Sequence, residues 1–181
     1  GQGLDADAYG LRMMAERLPE LLVASSCSKN FGLYRERTGS ITLVAESAEQ
    51  AKIVSAQSMS IARQIYSMPP AHGALLVSLI LGDDQLRANW QAELEEVRLR
   101  IKSMRTLLTD GINNNAAGLD FSHIKQQQGM FSFLGITSDQ LNRLREEFAI
   151  YIVGSTRVNL AGINSNNIEY LTQSIKTVLD S

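Results

Sequence analysis

Ser25-Ser26-Cys27-Ser28-Lys29-Asn30-Phe31-Gly32-Leu33-Tyr34-Arg35-Glu36-Arg37-Thr38-Gly39 is the stretch on which the reading of this chain turns. It sets one lysine among serines, with Arg37 shortly after it. Leu21-Leu22-Val23-Ala24-Ser25 before it and Ile41-Thr42-Leu43-Val44 after it read as short buried strands. The stretch is then a loop between strands, a common place for chemistry. A lysine amine is protonated near neutral pH and attacks a carbonyl only once burial or a nearby cation lowers its pKa. Arg37 could supply that cation. Ser26, Ser28 and the Arg37 guanidinium together suit a phosphate held by charge-assisted hydrogen bonds. Taken alone, the same residues also read as an exposed loop with a solvated lysine.

Outward from this run, the chain of 181 residues fits one domain or two small ones. A net charge of −2 gives no field of one sign for nucleic acid or an anionic membrane, so neither is expected as a partner. The lone Cys27 excludes an internal disulfide framework and points to a reducing, cytoplasmic compartment. No apolar stretch has the length of a membrane span, and no signal peptide is expected at the N-terminus.

Residues 5–18 read as a helix capped by Asp5 or Asp7 and stopped before Pro19. Ser47 opens a second helix that runs to about Tyr66, where Met68-Pro69-Pro70 ends it. Pro70 is expected in the first turn of a third helix, which ends near Gly82 and is apolar enough to be buried. Asp83 or Asp84 caps the clearest element. Leu86, Trp90, Leu94, Val97, Ile101, Met104, Leu108 and Ile112 recur at helical spacing as far as Asn113-Asn114-Asn115. This helix is long enough to join two domains, with a boundary near Val97. Beyond it, residues 130–134 look like a strand, and Thr137-Ser138-Asp139-Gln140 has the form of a capping box before a helix over 141–148. Tyr151-Ile152-Val153 and Arg157-Val158-Asn159-Leu160 read as short strands, and Ile168, Leu171, Ile175, Val178 and Leu179 mark a terminal helix.

The lysine run resembles the aspartate aminotransferase subgroup of pyridoxal-phosphate enzymes, in which such a segment carries the cofactor lysine. The resemblance extends over nearly the whole chain. It takes in Gly3-Leu4 with Asp7-Ala8, Arg63 through Tyr66-Ser67 to Pro69-Pro70-Ala71-His72-Gly73, and Gly129-Met130-Phe131-Ser132-Phe133. It also takes in Leu144-Arg145-Glu146-Glu147-Phe148 and Ser155-Thr156-Arg157-Val158-Asn159-Leu160-Ala161-Gly162. Order and spacing match the C-terminal half of that family. The implied fold is α/β: residues 1–97 as part of a PLP-transferase-like large domain, and 98–181 as an α+β small domain, joined by the long helix.

The resemblance implies a role for each site residue. Lys29 would hold pyridoxal 5'-phosphate as a Schiff base and shuttle the substrate proton. Ser26, Ser28 and Arg37 would bind its phosphate. Arg157 would pair with the substrate α-carboxylate, and Arg63 would reach the distal carboxylate in a partner subunit's site. Both are tasks for a planar fork of donors. Phe131 would help close the substrate pocket, and Ser67 would lie near the subunit boundary. The implied reaction converts aspartate and 2-oxoglutarate to oxaloacetate and glutamate in a homodimer. Arg35 and Met68 stand where the aspartate enzymes commonly have asparagine, so an aromatic amino acid aminotransferase is the alternative.

Each residue also has a plainer reading. Arg63 is an ordinary helix-surface arginine, Arg157 a solvated strand end and Phe131 core. His72 and His123 lack a second ligand at metal spacing and read as structural, so no metal is expected. Arg98-Leu99-Arg100-Ile101-Lys102-Ser103-Met104-Arg105 reads as the wet face of the long helix. The family's partners for the pyridinium nitrogen and the phenolate oxygen are expected upstream of Gly1. That leaves a second reading, a catalytically inactive assembly module whose open sheet edge makes it oligomeric.

Overall fold

The computed structural model describes residues 1–114 and 120–180. Two compact units divide the chain, Gln2–Glu95 and Glu96–Ser181, with Gly1 grouped with the latter. The first unit opens with α1 (Leu4–Arg17), whose N-cap is Gly3 and which carries Asp5 and Asp7 in its first turn. β1 (Leu21–Ser26) pairs antiparallel with β2 (Gly39–Val44), from Leu21 opposite Val44 to Ser26 opposite Gly39. Gly39 belongs at the neck of this ribbon because a Cβ there would lie 2.3 Å from the Ser25 carbonyl oxygen.

α2 (Ala48–Tyr66) begins at Ser47, whose hydroxyl accepts the Gln50 N–H at 3.2 Å and satisfies one orphan donor of the first turn. α3 (His72–Gly82) starts two residues later than Pro70, so the proline precedes the helix instead of sitting in its first turn. Nor is α3 buried. Only Gly73 is, while Leu75 and Leu79 are more than 60% exposed. A helix this apolar is ordinarily covered on every side, and among the described residues no second layer covers this one.

α4 (Asp84–Asn113) is the long helix, and the division between units falls inside it. The Asp83 carboxylate accepts the Leu86 N–H at 2.9 Å and caps its start. Its C-terminal boundary agrees with the asparagine signal; Asn115 lies outside the described residues. The apolar stripe is buried only in its last turns, at Leu108 and Ile112, whereas Val97 is about half exposed. Arg105 corrects the wet-face reading. It is buried, and donates from Nη1 to the Gln127 carbonyl at 2.7 Å and from Nη2 to the Gly129 carbonyl at 2.5 Å.

The second unit continues with α5 (His123–Gln126), β3 (Phe131–Phe133), α6 (Ser138–Phe148), β4 (Arg157–Asn159), a single 3₁₀ turn at Leu160–Gly162 and α7 (Ile168–Leu179). The Thr137–Gln140 capping box is formed in both directions. β3 and β4 pair antiparallel, with Phe131 opposite Asn159 and Phe133 opposite Arg157. Residues 151–153 are not a strand. Ile150 N–H bonds back to the Leu144 carbonyl and Thr156 N–H to the Val153 carbonyl, so the segment turns before it can pair. Leu108, Ile124, Leu134, Leu144, Leu160 and Ile175 are at most 1% exposed and form the centre of a single core. Among the described residues no helix is long and apolar enough to cross a membrane.

Candidate active site

Residues 27–38 leave β1 and return to β2 as one loop, closed at its neck by the Cys27 N–H bonding to the Thr38 carbonyl at 3.0 Å. The Ser26 hydroxyl lies 3.1 Å from the Ser28 hydroxyl and accepts the Ser28 N–H at 3.2 Å. Ser28 is only 4% exposed, so the pair is anchored on one side and open at Ser26 on the other. Lys29 is exposed, with Nζ 5.1 Å from the centre of the Tyr34 ring. The burial expected around this amine is therefore absent; an aromatic face lies beside it instead. Arg37 takes a left-handed backbone (φ 51°) and donates from Nη1 to the Tyr34 carbonyl at 2.8 Å. Lys29 and Arg37 thus converge on the same residue from opposite ends of the loop.

Three further contacts hold the loop to the unit. Phe31 stacks on Trp90, centroids 4.6 Å apart and planes 9° apart. Trp90 Nε1 donates to the Asn30 carbonyl at 2.8 Å. The Glu36 carboxylate meets His72 Nδ1 at 3.0 Å at the start of α3. Gly73 permits that seat, because a Cβ there would fall 1.8 Å from the Thr38 hydroxyl oxygen.

Arg63 lies exposed in the last turn of α2, and Ser67, at φ 67°, caps that helix with its N–H on the Arg63 carbonyl. In the second unit the Arg157 guanidinium sits 4.5 Å over the Phe131 ring, the diagonal neighbour across the β3–β4 pair. Both residues line a cavity of about 480 Å³ together with Ile150, Tyr151, Asn167 and Tyr170. The left-handed Thr156 (φ 61°) immediately precedes Arg157; its carbonyl accepts the Leu134 N–H and its hydroxyl the Gly135 N–H.

The candidate cations share one property. Arg12, Arg87, Arg143 and Arg145 each pair with a carboxylate. Lys29, Arg37, Arg63 and Arg157 have no such ion pair among the described residues, and neither do Arg17, Arg35, Lys52, Arg100, Lys102 and Lys176, so position rather than lack of a partner sets the candidates apart. Cations without an internal counter-ion are available to an anionic ligand. The structure therefore places Ser26 at the end of β1 and Ser28, Lys29 and Arg37 on the loop that follows it, and Arg157 with Phe131 on one small sheet. Among the described residues no group of three or more His, Cys, Asp or Glu could hold a metal ion. Reading the sequence alone missed Trp90 and Tyr170. Trp90 falls on the apolar stripe of α4 like any core residue, and its being the sole tryptophan is the signal the sequence offers. Nothing in the sequence marked Tyr170.

A family model described as "Aminotransferase class I and II" matches residues 1–175. The chain belongs to this aminotransferase family. The aspartate aminotransferase of Haemophilus influenzae is 55% identical over 98% of this chain and 45% of its own length. A mitochondrial aspartate aminotransferase from Trypanosoma brucei superposes with a TM-score of 0.92 at 40% identity, over 98% of this chain and 46% of that one. An aromatic-amino-acid aminotransferase from Burkholderia pseudomallei, solved covalently bound to pyridoxal phosphate, gives 0.92 at 40% identity over 98% and 45%. The chain thus spans a little under half the length of the aminotransferases it matches.

Proposed function

We propose that this chain supplies the lysine and the carboxylate-binding arginines of a pyridoxal-phosphate-dependent aminotransferase acting on L-aspartate and 2-oxoglutarate. One observation carries the reading. An exposed lysine amine without a carboxylate partner shares a loop of twelve residues with an arginine likewise unpaired by a carboxylate, and that loop springs from a hydroxyl pair at Ser26 and Ser28. That donor set fits a phosphorylated aldehyde, the aldehyde at Lys29 and the phosphate at Ser26, Ser28 and Arg37. When bound, the cofactor supplies an electron sink that stabilises a carbanion at the substrate Cα. Lys29 Nζ accepts the Cα proton as general base. Arg157 receives the α-carboxylate through its planar fork, above the Phe131 ring that walls the cavity.

Arg63 takes the second carboxylate in the site of a partner subunit, with Ser67 near that boundary. The exposed apolar side chains of α2 and α3 support a homodimer. Residues 1–97 are part of the large cofactor-binding domain and 98–181 are the small domain of a cytoplasmic enzyme. The aspartate and aromatic enzymes superpose equally well, so the second reading is an aromatic amino acid aminotransferase. The same exposed surface is what an assembly module without turnover would present.

The test is to incubate the chain with pyridoxal phosphate, reduce with borohydride and map the adduct by peptide mass spectrometry. Label on Lys29 is expected, absent in Lys29→Ala. Indiscriminate labelling of all lysines would defeat the assignment. Because the chain spans under half of its relatives, label without oxaloacetate formation from aspartate and 2-oxoglutarate is the expected outcome for these 181 residues. Light scattering on the same sample should give a dimer or larger species, and a monodisperse monomer would count against it.

A further inference from the structure

Trp90 stands near the start of α4, and its two contacts fall on the residues that directly follow Lys29. The stack fixes the distance and tilt of Phe31. The indole N–H on the Asn30 carbonyl fixes the slide of that peptide along the ring. The hydrogen bonds near Lys29 do not do this job. Gly32 N–H to the Lys29 carbonyl and Leu33 N–H to the Cys27 carbonyl both stay within the loop. They set its internal shape but not its place against the unit. The Glu36–His72 pair and the Thr38–Gly73 contact act on the returning limb, beyond Tyr34. On the lysine side, the Ser26–Ser28 bonds tie residue 28 to the end of β1, and Trp90 ties residues 30 and 31 to a helix.

We propose that Trp90 is a positioning residue for Lys29, holding the 30–31 backbone so that the amine is presented at a fixed place. The proposal rests on the reading of Lys29 as the cofactor lysine. A displacement of about 1 Å in a reacting group is enough to cost a factor of order a hundred in rate, so the segment just after Lys29, whose backbone bonds at Gly32 and Leu33 stay within the loop, gains from an anchor on a helix. The contacts of Trp90 fall on Asn30 and Phe31, not on Lys29 or the hydroxyl pair, and it acts through those two residues.

The test compares wild type with Trp90→Leu, which loses both contacts, and Trp90→Phe, which keeps a ring face and loses the N–H. Phe31→Leu breaks the stack from the loop side. Each chain is labelled with limiting pyridoxal phosphate and borohydride, and label at Lys29 is divided by label at Lys52, an exposed lysine on α2 in the same unit. The ratio should fall about tenfold in Trp90→Leu and Phe31→Leu, and less in Trp90→Phe. Hydrogen exchange of the 30–33 amides should speed up in the same order. A residue that merely stabilised the unit would lower Tm and leave the ratio where it was. Unchanged ratio and unchanged exchange in both leucine variants would overturn the proposal. A wild-type ratio near one would instead overturn the Lys29 assignment beneath it. Exchange would then still report on the tether: slower amides with Trp90 than with leucine support it, and equal rates remove it.

Discussion

The two units differ in where their apolar residues end up. Every fully buried apolar side chain among the described residues lies at or beyond Leu108, in the unit Glu96–Ser181. The unit Gln2–Glu95 has the more apolar helix, α3, yet buries only Ser28 and Gly73. Composition therefore does not separate them; layering does. In the second unit, α4, α6 and α7 close over β3 and β4, so each apolar face meets another. In the first unit the ribbon β1–β2 and the helices leave Leu22, Met59, Ile65 and Leu79 facing outward. The candidate lysine sits on the open unit, and Arg157 on the closed one.

Core truncation should break or confirm this contrast most sharply. Leu108→Ala or Ile175→Ala is expected to cost about 2–5 kcal/mol, because both side chains are fully buried and the cavity cannot collapse completely. Leu75→Ala or Leu79→Ala on α3 should stay within about 0.5 kcal/mol, as for other exposed sites. Urea unfolding followed by circular dichroism measures both. A cost at Leu75 matching that at Leu108 would mean that α3 is covered in solution, and the contrast would belong to the single chain alone.

Two glycines offer a smaller and more local comparison. Gly73 faces Thr38 in the open unit, and a Cβ on Gly111 would lie 2.6 Å from Thr172 Cγ2 where α4 meets α7 in the closed one. Gly111→Ala should destabilise the second unit by about 1–3 kcal/mol through overpacking. Gly73→Ala must move Thr38 and Glu36, which belong to the loop, so its effect should appear as reduced Lys29 labelling more than as lost stability. Equal falls in Tm with no change in labelling would show that the loop does not depend on this seat.

Much of the local structure was legible because its causes are local. Ser47 and the Thr137–Gln140 box mark helix starts by side-chain bonds to the next turn, and the stripe of α4 follows from its period. The misreadings share a different cause. Whether 151–153 pairs depends on a neighbouring strand, whether α3 is covered depends on a second layer, and Arg105 turns inward because two loop carbonyls need donors. The candidate site shows the same split. Ser26, Ser28, Lys29 and Arg37 were readable because they are adjacent in sequence. The Arg157–Phe131 contact needed the β3–β4 register, and the Trp90–Phe31 stack joins residues far apart in the chain.

The smallest expected effect isolates what a contact is worth without burial. On α6, Arg143 Nε donates to Glu147 Oε1 at 2.6 Å and Nη2 to Oε2 at 3.0 Å, a two-point pair one turn apart. The hydrogen bonds from Arg143 hold the Glu147 carboxyl below its ordinary pKa. A carboxyl whose folded pKa is depressed contributes stability that is complete above its unfolded pKa of about 4.3 and is lost as pH falls through the lower, folded value. Glu147→Gln should therefore lower Tm slightly at pH 7, by less than any core substitution above, and the difference from wild type should close as pH falls below 4.3. High salt at pH 7 should shrink the same difference, since the pair is exposed. A gap that persists at low pH would mean that Glu147 contributes through packing on α6, which would extend the closed unit's ordered surface beyond its core.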